Sequence, residues 1–139
     1  MSYEEKGAWV YLVVVVGVYG AYVAMILRRA DGLALAEVPY VSPMLWSIGI
    51  SMASSIIGRI AVEIARPSES HKIDARDKEI NRFGDYVGGG VLAVTMLLPF
   101  GLAMAEVDHF WIANAMYAAF ALSAVVSTPV KLVAYRRGM

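Results

Sequence analysis

The sequence predicts an all-α membrane protein, a single domain built as a bundle of four transmembrane helices, and three observations point to it. Of the 139 residues, 59% are hydrophobic and only 17% charged, too apolar a balance for a soluble domain of this length. Four apolar runs, at 8–27, 44–64, 84–105 and 110–134, have the length of about 20 residues needed to cross a hydrocarbon core. The charged residues are concentrated beside and between those runs.

Each run is expected to be helical, because lipid offers no partner to backbone N–H and C=O groups and a helix satisfies them internally. The first run has a competing reading as a signal peptide, with Ala34-Leu35-Ala36 as the small-residue cleavage site. Three features oppose it: the run is too long, Glu4 and Glu5 spoil a basic leader, and Arg28-Arg29 stands before the site. Trp9, Trp46 and Trp111 fall at span edges, where interfacial tryptophans sit. Glu106-Val107-Asp108 joins the third and fourth runs so briefly that a tight antiparallel hairpin is expected.

Small residues at fourfold spacing mark faces where helices can approach closely. They are Gly17 with Ala21, Gly20 with Ala24, the series Ser47, Ser51 and Ser55, and Gly84 with Gly88. Packing within the bundle is the expected use, and a homodimer seam is the alternative. Gly88-Gly89-Gly90, Pro99 and Pro129 are candidate bends.

Orientation follows from the basic residues. Lys6, the 59–82 stretch and the 131–137 tail place ten of the 12 on one side, and Arg28 and Arg29 alone fall on the other. This predicts a multi-pass protein of the cell membrane with both termini cytoplasmic.

The approach to the third span is crowded with charge: residues 74–85 read DARDKEINRFGD. On a helix Asp74, Asp77, Lys78 and Asn81 share one face while Ile73, Ile80 and Phe83 gather on another. That pattern predicts a short amphipathic cytoplasmic helix along the membrane surface before the third span. Arg76, Lys78 and Arg82 are expected to bind anionic lipid headgroups, each worth about 1 kcal/mol near such a surface. A cytoplasmic or membrane protein, or a second copy of the chain, is the alternative partner of the 66–85 segment. The D-A-R-D-K-E-I box at 74–80 resembles the D-E-R-D-x-x-I box of small bacterial four-helix membrane proteins, often seen in actinobacterial sequences, and departs from it at Ala75. The resemblance implies the four-span layout and carries no activity with it.

Arg59 and Glu63 lie one turn apart within the second run, with Arg59 about 8 Å inside its end by the helical rise. A charge held in lipid costs at least about 2.5 kcal/mol at mid-membrane, so Arg59 is expected to snorkel, pair with Glu63 and meet Asp85. The functional counterpart is an ion, proton or anionic-lipid site around Arg59, Glu63 and Asp85. Ser123, Ser127 and Lys131 make a sparse polar stripe in the fourth run.

Much chemistry is excluded. Twelve basic and 12 acidic residues leave no global basic field for nucleic acid, and the absence of cysteine removes disulfides and thiolate sites. His71 with Asp74 and Asp77 lacks the glycine and terminal glutamate of an EF-hand, and His109 beside Asp108 and Glu106 suits a hairpin cap better than a metal. The triple glycine lacks the Lys-Ser/Thr of a phosphate loop, and no Ser-His-acid order is visible. No catalytic residue, cofactor or metal is therefore expected. The function expected is a non-catalytic accessory or regulatory membrane protein. A small dimeric transporter or channel subunit is the alternative.

Overall fold

A computed structural model describes residues 3–32, 34–65 and 75–137, with the side chains of 3, 4, 62, 63 and 65 left aside. It is all-helical: α1 Tyr3–Arg29, a 3-10 turn Leu35–Glu37, α2 Val41–Ala65, α3 Ala75–Thr95, α4 Leu97–Met104 and α5 His109–Arg136. Four stretches are long and apolar enough to cross a membrane, Glu5–Arg29, Val41–Ala61, Ala75–Met104 and His109–Arg136, so α3 and α4 together make one span. α1 packs on both α2 and α5, and α5 packs in turn on α3 and α4, while α2 has α1 as its one extensive neighbour. The helices therefore run in the order α2, α1, α5, α3, leaving an open groove between α2 and α5. One end, here the basic end, holds the start of α1, the end of α2, the start of α3 and the end of α5. The hairpin end holds the two remaining connections.

Glycine creates the seams. A Cβ on Gly88 would lie 2.7 Å from Ser127 Cβ, and one on Gly84 would overlap the aliphatic stem of Lys131. Ser123 donates to the Gly88 carbonyl at 2.8 Å. The Ser123, Ser127, Lys131 stripe is thus the face of α5 that meets the glycines of α3, a small-xxx-small contact inside one chain. Gly58 performs the same service for α2, fitting against Val10 of α1. Gly17 and Gly20 have nothing near their missing side chains.

The third span stays helical through all three glycines and breaks at Met96 instead. Pro99 explains the position: its ring clashes with the carbonyl of residue i−4, Thr95, and it has no N–H to donate there. α4 ends at Ala105 in a Schellman arrangement, with Val107 N–H on the Leu102 carbonyl at 3.1 Å and Glu106 N–H on that of Ala103 at 3.1 Å. Glu106 occupies the left-handed position, φ 57°, that glycine adopts without steric cost. Glu106→Gly is expected to stabilise the protein by about 1 kcal/mol, read as a higher Tm in detergent. Asp108 caps α5 by accepting the Phe110 N–H at 3.2 Å, so the expected tight hairpin is present.

One expectation is corrected. Residues 75–83 do not form a separate surface helix: they are the first turns of α3, continuous with the span. Ile80 of the expected apolar face turns onto α5, where it is fully buried against Ala134 and Tyr135, while Phe83 stays exposed. Asp74, His71 and the 66–74 part of the cuff lie outside the described residues.

Candidate functional site at the basic end

Three helices converge on a polar chamber of about 570 Å³ at the basic end, with α1 as the fourth wall. α2 contributes Arg59 and Ser55, α3 contributes Asn81 and Asp85, and α5 contributes Ser127, Thr128 and Lys131. Arg59 is exposed, and its guanidinium passes over Gly7 of α1, where a Cβ would stand 3.3 Å from Nε. The absent side chain at residue 7 is what gives a bulky cation room to cross α1. Lys131 donates to Asp85 Oδ1 at 2.8 Å, with the lysine side chain 19% and the aspartate 71% exposed. Arg59, Asp85 and Lys131 therefore share one chamber, and the cation that pairs with Asp85 comes from α5. Glu63 is carried on α2, and its side chain is outside those described.

The cuff residues separate into two groups. Arg76 donates to the Tyr135 carbonyl at 2.7 Å and stands over the Tyr135 ring, 5.6 Å from its centre. Asp77, buried at 6%, accepts from the Tyr135 hydroxyl at 2.8 Å. These contacts clamp the start of α3 to the end of α5. Lys78 and Arg82 are exposed and face away from that clamp.

At the hairpin end the sequence hides a polar-aromatic plug. Tyr19, Tyr22 and Tyr117 form a ring cluster, with centroids 5.0 and 5.1 Å from Tyr117. Tyr22 donates to Asn114 Oδ1, while Ser47 lies 2.8 Å from the Tyr117 hydroxyl. Tyr22, Ile26, Val38 and Phe110 complete the core there. The signal was available in Tyr19 and Tyr22, one turn apart in the first run, and in Asn114, whose amide in a span demands a partner.

No family model, curated protein or solved structure matches this chain. Function must be read from the chain's own residues. Among the described residues no three His, Asp or Glu side chains gather as a metal-ligand set. Among the described residues the chamber offers donors, a guanidinium, an ammonium, an amide and hydroxyls, beside the Asp85 carboxylate. That chemistry suits an anion bearing several oxygens.

Proposed function

We propose that this chain is a non-catalytic accessory or regulatory protein of the cell membrane, with both termini cytoplasmic, that engages anionic lipid at its basic end. The observation that supports the reading most is the placement of Arg59, Lys78, Arg82 and Lys131 at one end of the helices. There Lys78 and Arg82 are exposed and Arg59 and Lys131 line a chamber. Charged headgroups at the cytoplasmic surface attract such a cluster, and salt weakens the attraction. Arg76 serves the same surface while holding Tyr135.

Two measurements test the proposal. A C-terminal reporter active only in the cytoplasm is expected to be active, and one inserted after Gly32 to report the opposite side; the reverse pattern overturns the orientation. In the full chain in nanodiscs, amine labelling of Lys78 is expected to slow when neutral lipid is replaced by anionic lipid, and to recover in high salt. Labelling indifferent to lipid charge would point instead to a protein partner for the cuff.

The polar chamber gives the second reading, a small transporter or channel subunit with a site around Arg59, Glu63 and Asp85, its specific support. Against it, the space above the chamber is lined by apolar side chains and ends at the tyrosine plug. A dimer in detergent together with flux in proteoliposomes would favour that reading.

A further inference from the structure

The polar chamber is not isolated. Tyr11, Ser55 and Ile56 line both it and a second, larger space of about 690 Å³, so the two adjoin across these side chains. The second space is the groove between α2 and α5, floored by Val15 and Tyr19 of α1. Its walls are apolar, from Ile48 and Met52 on α2 to Met116 and Phe120 on α5, and it is open along one side. From Met44 to Ser55 it runs about 17 Å by the helical rise, a little over half of the roughly 30 Å hydrocarbon core. The groove therefore has the length of a lipid chain from one leaflet.

Chemistry changes at the junction. Ser55 carries the one buried side-chain polar atom, among the described residues, that has no hydrogen-bond partner. Below it, among the described residues, the chamber's ionisable lining groups are Arg59, Lys131 and Asp85, with the Tyr11 phenol at the junction. A cleft of two adjoining spaces, with the guanidinium of Arg59 and the ammonium of Lys131 at its mouth, an unsatisfied hydroxyl at the shoulder and an apolar trough above, has the amphiphilic profile of a phospholipid.

Resting on the membrane reading above, we infer that this cleft is a binding site for a single anionic phospholipid. Its phosphate lies between Arg59 and Lys131, and one acyl chain lies along the groove between α2 and α5. The guanidinium has five N–H donors and keeps capacity for phosphate oxygens beside other contacts, while Lys131 divides its three between Asp85 and the phosphate. Glycerol-ester oxygens fall at the height of Ser55. The tyrosine plug of Tyr19 and Tyr117 sets the far limit of the chain.

The test is native mass spectrometry of the full chain in a mild detergent, titrated with dioleoyl phosphatidylglycerol or dioleoyl phosphatidylcholine. Selective retention of one phosphatidylglycerol per chain is expected, falling roughly tenfold in Arg59→Gln and in Lys131→Gln, as loss of a charge-assisted bond predicts. Ala124→Phe, which fills the groove without touching charge, is expected to lower retention of phosphatidylglycerol as well, with the melting temperature reporting whether the bundle is intact. Equal retention of the two lipids by the unaltered chain would reveal an adventitious additive only and overturn the site. So would unchanged selectivity in a folded Ala124→Phe variant, which would leave a headgroup contact without a chain site. Retention is read at the groove and Lys78 labelling at the outer surface, so either can fail while the other succeeds.

Discussion

Gly88→Ala is expected to destabilise the protein, whereas Gly89→Ala and Gly90→Ala, one and two residues further on, are expected to stabilise it. All three glycines lie within α3, and in a helix interior each replacement by alanine gains roughly 0.5–1 kcal/mol of conformational preference. What differs is the space. Nothing lies within 4 Å of a Cβ on Gly89 or Gly90, while on Gly88 it would stand 2.7 Å from Ser127 Cβ, a stem atom that cannot swing aside. Relief requires α3 and α5 to separate, which also stretches the Ser123 bond to the Gly88 carbonyl. Overpacking of this kind costs about 1–3 kcal/mol, so the net loss at residue 88 is about 1–2 kcal/mol after the helical gain. Gly88→Leu forces a wider separation and a larger loss. Unfolding by titration with a denaturing detergent resolves the opposite signs. Equal stabilisation at all three positions would show that α3 does not meet α5 through this face.

The same glycines show how far the sequence could be read. Length and apolarity sufficed for four spans, since lipid permits little besides helix at that depth. The tight hairpin was legible because three residues cannot span any wider gap. The small-xxx-small spacing of Gly84 and Gly88 was legible too, although its partner was not: nothing local says that Ser123, Ser127 and Lys131 of α5 form the opposite face. The chamber was half legible for the same reason. Arg59 stood out as a charge inside an apolar run and Asp85 was expected near it, but Lys131 joins them only through helix order. Gly7 and Gly58 went unnoticed because each serves one side chain on a neighbouring helix, with no periodic signal. The tyrosine plug is likewise a meeting of α1 and α5, visible beforehand only as separate aromatic residues.

Ile80→Ala is expected to cost about 2–5 kcal/mol, the range for truncating a buried large aliphatic side chain where surrounding atoms relax only in part. Amphipathic periodicity alone could not decide this outcome, because the apolar face of residues 75–83 would suit either a membrane surface or a neighbouring helix. The decision lies in Tyr135. Its ring packs beside Ile80, its hydroxyl donates to buried Asp77, and its carbonyl accepts from Arg76. Three contacts on one residue fix the start of α3 against α5, and Ile80 at 0% exposure fills the space beneath them. Phe83, three residues on and 43% exposed, is the internal comparison. Phe83→Ala removes a larger side chain from a half-open surface and is expected to lower stability by less than Ile80→Ala does. A surface-lying helix predicts the reverse: both variants would weaken lipid association and neither would shift the unfolding midpoint. Measuring unfolding and anionic-vesicle association on the two variants separates the alternatives. A large midpoint shift confined to Ile80→Ala supports a start of α3 that is part of the bundle core and leaves Lys78 and Arg82 exposed.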